Sequence, residues 1–217
     1  MLLAAGRGER MGELTANRPK PLLRVGGETL LSYQIGRLVA AGADEIVINV
    51  AYHADLIRAA VADLNSTVPI RFSDEQPSAL ETAGGIVQAL QLLGTEPFWL
   101  VSCDVVTNFS PAKLRLPPDK QGCLLMVPNP RHHPGGDFGV DEHGNLDFSS
   151  PRRTFGGIAL LDPRLFAGLK PGFRRIRPVL TEAIGAGLLT AHAYDGAWLD
   201  VGTPDRLKLA EQICSKR

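Results

Sequence analysis

"LLAAGRGERM", residues 2–11, joins a short apolar run to two glycines and two arginines. The apolar run reads as a strand, and Gly6 and Gly8 then turn the chain sharply, because glycine enters left-handed backbone without a steric cost. A strand followed by Gly-x-Gly commonly grips phosphate, so the type of grip decides the fold. A dinucleotide fingerprint needs a third glycine at the start of a helix and an acidic residue about 20 positions further on. Here position 11 is Met, Pro19 and Pro21 interrupt any long helix, and the second strand ends in Asn49-Val50. The Gly-x-x-x-x-Gly-Lys-Ser/Thr loop cannot be laid on these residues either. What remains is a glycine turn with Arg7 and Arg10, followed by Lys20 between Pro19 and Pro21. The prolines restrict the backbone on both sides, which predicts a lysine presented from a stiff extended segment.

Outward from this turn, strand-like and helix-like segments alternate. Residues 45–50, 70–73, 98–102, 123–127, 155–161 and 189–194 are short and rich in β-formers. Leu31, Ile35, Leu38 and Val39 share one helical face, as do Leu56, Ile57, Ala60, Val61 and Leu64. Further helices are predicted over 82–93 and 177–186, and a last one from Thr203-Pro204, a cap followed by proline at the first helical position. Such alternation predicts an α/β fold, a mainly parallel sheet with helices on both faces. Residues 128–153, rich in Pro, Gly, His and Asp, break the pattern. They are expected to form an inserted loop and hairpin over the end of the sheet where α/β proteins keep their ligands.

Composition narrows the function. The 217 residues, 44% of them hydrophobic, suit one well-buried domain over 1–217. Twenty-three Lys+Arg balance 23 Asp+Glu, which excludes the broad basic footprint of a nucleic-acid or anionic-membrane binder. Any anion must therefore be held by local groups. The uncharged apolar-leaning run 183–194 is too short to span a bilayer, and the N-terminus lacks a secretory pattern, so a cytoplasmic protein is expected. Cys103, Cys123 and Cys214 form neither a metal pattern nor a disulfide framework and are expected to be reduced thiols.

Taken in order, "LAAGRGERM" (3–11), "RPKPLLRVGGETLL" (18–31), "ETAGGI" (81–86), "VSCDV" (101–105), "FGGIALL" (155–161) and "WLDVGTPDRL" (198–207) resemble the motifs of the sugar-1-phosphate nucleotidyltransferases. The resemblance runs along essentially the whole chain. It implies a Rossmann-like nucleotidyltransferase fold with a central mixed, mostly parallel sheet, and a reaction that joins a nucleoside triphosphate to a sugar 1-phosphate with release of pyrophosphate. The chain ends shortly after the last motif, so no β-helix domain and no acetyltransferase activity are expected. "NPRHHPGGDF" (129–138) with "LETAGGI" (80–86) resembles one branch, the N-acetylmuramate α-1-phosphate uridylyltransferases of peptidoglycan sugar recycling. That branch implies UTP as the nucleotide. Mannose-1-phosphate guanylyltransferases and glucose-1-phosphate thymidylyl- or uridylyltransferases share most of the other motifs and stay open as alternatives.

The chemistry explains the residue types. The attacking sugar phosphate oxygen is already anionic at neutral pH, so no strong base is needed. Repulsion between anions is the obstacle, and positive charge with positioning removes it. The resemblance implies that Ala4, Ala5, Gly6, Gly8, Glu9, Arg10, Lys20, Gln76 and Gly84 contact the nucleotide. Within that set, the backbone of the 6–8 turn grips the triphosphate, Arg10 takes the outer phosphates, Lys20 takes the reacting α-phosphate, and Gln76 reads the base edge. Asp104 and Asp200, each after an apolar strand, are the implied ligands of one Mg²⁺. Glu81, Asn129, Asp137 and Gly157 are the implied sugar-phosphate contacts, although Glu81 could equally cap the helix that follows it. His132 and His133 lack partners at ligand spacing, so a loop or sugar role is expected before a metal one. A non-catalytic nucleotide-sugar sensor is the alternative of another class; such a binder has no reason to keep Arg10, Lys20, Asp104 and Asp200 together. The sequence assigns no oligomeric state.

Overall fold

The computed structural model describes residues 1–214. In chain order its strands and helices are β1 (Leu2–Leu3), β2 (Arg24–Val25), β3 (Glu28–Thr29), α1 (Leu30–Ala40), β4 (Ile46–Val50), α2 (Ala54–Ala62), β5 (Ile70–Asp74), α3 (Glu81–Leu93), β6 (Phe98–Ser102), β7 (Val105–Thr107), β8 (Gly122–Val127), β9 (Phe138–Val140), β10 (Leu146–Asp147), β11 (Arg152–Leu161), α4 (Ile176–Gly185), β12 (Leu189–Ala193), β13 (Trp198–Asp200) and α5 (Pro204–Cys214).

The opening stretch lies at the centre of the sheet. β1 pairs in parallel with β4 on one side and β6 on the other, Leu2 facing Ile48 and Val101. β5 adds in parallel to β4. Beyond β6 the sheet reverses: β11 runs antiparallel to β6 and to β8, and β12 returns parallel to β8. The sheet is therefore mixed, in the order β5-β4-β1-β6-β11-β8-β12, with β9 and β10 joined to the first residues of β11. Between Pro128 and Arg153 the chain supplies β9, β10 and the turn between them.

Alternation of side chains along the buried strands divides the core into two layers. Ile46, Ile48 and Val50 of β4, with Leu125 and Val127 of β8, pack with Leu31 and Ile35 of α1, Ile57 and Val61 of α2 and Ala210 of α5. The intervening Val47, Leu124 and Met126 pack with Ala83, Ile86 and Ala89 of α3 and Val179, Leu180 and Ile184 of α4. Helices thus cover both faces. α1 begins with a reciprocal cap, Ser32 N–H to Thr29 Oγ1 at 3.0 Å and Thr29 N–H to Ser32 Oγ at 3.1 Å. α5 starts at Pro204, with Arg206 N–H donating to Thr203 Oγ1 at 3.4 Å. α2 departs from its predicted face: Leu56 is exposed and the helix ends at Ala62, before Leu64.

Cys103 and Cys123 are buried free thiols, and burial pushes both to higher pKa. The side chain of Cys214 lies outside the described residues. Among the described residues, no helix is long and apolar enough to cross a membrane.

Candidate active site

Because β1, β4 and β6 are parallel neighbours, their C-terminal ends finish side by side, and the residues that follow them line a cavity of about 800 Å³. Ala4, Ala5, Gly6, Gly8, Glu9, Arg10, Lys20, Glu81 and Asp104 all stand in its wall. Gly8 adopts φ +69°, and a Cβ there would lie 2.9 Å from Cβ of Lys20. A side chain at this position would be both strained and in contact with the lysine stem. A 3-10 segment follows, Glu9–Thr15, kinked at Gly12. Met11 N–H and the Thr15 hydroxyl both donate to Gly8 O, at 2.9 and 3.1 Å. The glycine turn is therefore closed by a tight turn where a dinucleotide fold would place a long helix. Arg7 lies over the ring of Tyr52, 4.9 Å from its centre. No carboxylate among the described residues pairs with Arg10 within 4 Å.

Lys20 opens a 3-10 turn, Lys20–Leu22, after an extended Pro19. This corrects the extended segment predicted for it: Pro21 fits the first turn of a helix as readily as extended chain. The turn aims the ammonium into the cavity, where it donates to Oδ2 of Asp104.

Asp104 follows β6. Asp200 reaches it by a different route from the main sheet: β13 pairs with β7 in a separate two-stranded ribbon, with Asp200 opposite Val105. Val201 N–H donates to Asp104 O at 2.8 Å and ties the ribbon to the end of β6. The Asp200 carboxylate accepts from Arg206 at 2.6 and 2.7 Å and lies 3.2 Å from His132 Nε2. Asp104 stands in the cavity wall and Asp200 outside it; as hard oxygen donors carried on bonded neighbouring segments, they are of the kind that would hold a Mg²⁺ ion together with phosphate oxygens and water. Among the described residues, no cluster of three or more His, Cys, Asp or Glu could form an all-protein cage.

Asn49 and Glu75 also line the cavity, and the sequence reading passed over both. Ala4 N–H donates to Asn49 Oδ1 at 2.8 Å, Asn49 Nδ2 donates to Glu75 Oε1 at 2.7 Å, and Leu80 N–H donates to Glu75 Oε2 at 2.7 Å. Burial pushes the Glu75 carboxyl up, against the opposing pull of the bonds from Leu80 and Asn49. Gly85 makes the room, since a Cβ there would stand 2.2 Å from Glu75 Oε1. The usable signal was a polar residue inside the apolar run "IVINV" and an acid five positions before the motif "LETAGGI" that opens α3.

Residues 1–132 match the MobA-like NTP transferase domain. Over 98% of its length the chain is 41% identical to the N-acetylmuramate alpha-1-phosphate uridylyltransferase of Neisseria meningitidis serogroup B, covering 96% of that protein. The chain belongs to the sugar-1-phosphate nucleotidyltransferases. It is also 31% identical to the enzyme of the same name from Caulobacter vibrioides, over 97% of this chain and 94% of that one. The inositol-1-phosphate CTP transferase of T. maritima shares its fold with a TM-score of 0.82 at 19% identity, over 99% of this chain and 94% of that one.

In this sugar-1-phosphate nucleotidyltransferase several expected contacts lie elsewhere. Gln76 is outside the cavity wall and donates its side-chain amide to Ala51 O at 2.7 Å. Gly84 is buried in α3, where its close approach is to the backbone: a Cβ would meet Gly172 O at 2.3 Å. Asn129 is engaged by Thr154 Oγ1 at 2.9 Å and by the carbonyls of Pro134 and Arg152, and so braces its own loop. Asp137 accepts Phe155 N–H at 2.9 Å and pairs with Arg177 and with His133 at 3.3 Å. Gly157, at φ +71°, forms the bulge of β11, where a Cβ would crowd Ser102 Oγ at 3.0 Å. Glu81 does stand in the cavity wall, at φ +62°, and makes no side-chain cap to α3. The two histidines divide between the carboxylates, His132 beside Asp200 and His133 beside Asp137.

Proposed function

We propose that the chain joins UTP to N-acetylmuramate α-1-phosphate, giving the UDP-sugar and pyrophosphate, in cytoplasmic recycling of cell-wall sugar. The observation that carries this reading is the 41% identity, over 98% of the chain, to an enzyme of that name. A sugar phosphate oxygen bonds to the α-phosphorus of UTP as the bond to the β-phosphate bridging oxygen breaks, and pyrophosphate leaves with that oxygen. The 6–8 turn offers backbone N–H groups to the triphosphate, and Arg10 draws the leaving pyrophosphate. Lys20 lies against the glycine turn and pairs with Asp104. It is therefore positioned to neutralise charge where the two phosphates meet. Asp104 and Asp200 would hold Mg²⁺, which when bound would supply further positive charge to the phosphates. Arg206 and His132 orient Asp200, and Asn49 with Glu75 fixes the turn against the 75–80 loop.

A pyrophosphate-release panel tests the assignment by crossing UTP, dTTP, GTP and CTP with N-acetylmuramate, glucose, N-acetylglucosamine and mannose 1-phosphates. UTP with N-acetylmuramate 1-phosphate should give the highest kcat/KM. GTP with mannose 1-phosphate running faster would overturn the substrate assignment. Binding of nucleotide sugar with no release of pyrophosphate from any pair would point to a sensor.

A further inference from the structure

Arg7, Arg10 and Lys20 line the cavity and suffice for phosphates. A second group of cations belongs to the chain before and into α4: residues 163–181 contain Arg164, Lys170, Arg174, Arg175 and Arg177 and no acidic residue, in a protein whose charges balance overall, and the residue of this segment in the cavity wall is Phe173, next to Arg174 in the chain. Arg164 is neutralised by Asp162 at 2.7 Å and Arg177 by Asp137. From the middle of this segment Phe173 enters the cavity wall beside Glu81 and Thr82 while remaining 66% exposed. A ring this exposed on a cavity wall gains nothing from the core and invites an apolar ligand group.

The placement is rigid. Arg174 N–H donates to Leu80 O at 2.9 Å, and Gly84 N–H donates to Arg174 O at 3.1 Å, so the segment is bonded to the start of α3 on both sides of one residue. Gly84 has no room for a side chain, which keeps this contact close. Nε of Arg174 is buried and has no hydrogen-bond partner, a state that a buried polar group keeps only at a cost unless a ligand satisfies it.

We propose that Phe173 and Arg174 form the subsite for the lactyl side of the N-acetylmuramate ring and select that sugar. The inference rests on the substrate reading above. N-acetylmuramate 1-phosphate is anionic at both ends, with a phosphate at C1 and a carboxylate on the lactyl ether at C3. A sugar phosphate without that carboxylate would need only the cations of the cavity wall. Arg174 pairs with the lactyl carboxylate, and the Phe173 ring covers the lactyl and acetamido methyl groups. Uracil is uncharged and gives no reason for a second group of cations.

The test compares N-acetylmuramate 1-phosphate with N-acetylglucosamine 1-phosphate, which lacks the lactyl group, both with UTP and the wild type, Phe173→Ala, Arg174→Gln and Arg174→Lys. The Phe173 ring is exposed, so its removal leaves the core intact. Phe173→Ala and Arg174→Gln should each raise KM for the muramate substrate about tenfold or more and narrow its kcat/KM advantage, with KM for UTP within about twofold. Arg174→Lys should recover part of the loss. An unchanged advantage in both Phe173→Ala and Arg174→Gln overturns the inference alone. A rise in KM for UTP that matches the rise for the sugar overturns it in favour of a base contact. A wild type that does not turn over N-acetylmuramate 1-phosphate overturns the substrate reading as well.

Discussion

Asn49 and Glu75 are joined at 2.7 Å beneath the cavity, and each also holds one wall of it: Asn49 takes the N–H of Ala4 and Glu75 takes that of Leu80. Four groups on three separate segments thus share one buried network, and removing any member leaves another unpaired. Asn49→Ala should destabilise the protein by about 2–3 kcal/mol, the loss expected when a buried donor and acceptor lose their partner. Chemical denaturation measures it. The same variant should raise KM for the nucleotide more than it lowers kcat, because the walls shift while the charged groups remain. A loss below about 0.5 kcal/mol would show that water replaces the amide.

Lys20→Ala should lower kcat about a hundredfold, within the range found for one preorganised charge-stabilising group, while nucleotide affinity falls far less. Steady-state kinetics with direct nucleotide titration separates the two. A rise in KM with unchanged kcat would make Lys20 a binding residue only.

Stability should also depend on His192. Burial, then the charge of Lys113, holds its imidazole below the usual 6.5, on β12 where the ring packs 5.0 Å from Phe109. The folded state therefore resists the proton. Above 6.5 neither state binds it and the contribution is complete; below 6.5 the unfolded chain takes up a proton that the folded one refuses, so stability falls with pH until the depressed folded pKa is passed. His192→Phe keeps the ring contact and removes the titration. Its Tm should fall less than that of the wild type between about pH 7 and about pH 5.5, measured by thermal melts across that range. Parallel declines would assign the pH dependence to other groups.

The strands and helices were legible because their signals are local. Residues 45–50 and 98–102 are mostly apolar and supply the central strands β4 and β6, which are largely buried, and Thr203-Pro204 marks a helix start by its own chemistry. The glycine turn, Lys20 and Asp104, singled out by motif order, stand in one cavity wall, the turn and Asp104 because parallel strands end together and Lys20 from a 3-10 turn. What stayed hidden depends on partners distant in sequence. Whether Gln76 faces a cavity or the carbonyl of Ala51 is decided across 25 residues, and Gly84 is small for the sake of Gly172, far along the chain. Arg206 drew no reading of its own inside the 198–207 motif, and only the fold sets it against Asp200.

The last prediction concerns Asp104 and Asp200 as one unit. The backbone bond from Val201 to Asp104 and the pairing of Asp200 opposite Val105 bring the two residues together by ribbon geometry. Their present partners are cations, Lys20 for one and Arg206 for the other. A dication entering between the carboxylates must compete with both, so Mg²⁺ should bind weakly to the free protein. It should bind firmly once a triphosphate supplies more oxygen ligands and draws Lys20 toward its own charge. Chelation with EDTA should abolish turnover, and added Mg²⁺ should restore it. Asp104→Asn and Asp200→Asn should each remove most of the rate. Because both act through the same ion, the double variant should be little worse than the poorer single one. The measurement is a double-mutant cycle on kcat/KM at saturating Mg²⁺, with metal titrations in the presence and absence of UTP. Fully additive losses, or tight Mg²⁺ binding without nucleotide, would mean that the two carboxylates do separate jobs, with Asp200 then serving chiefly to anchor Arg206.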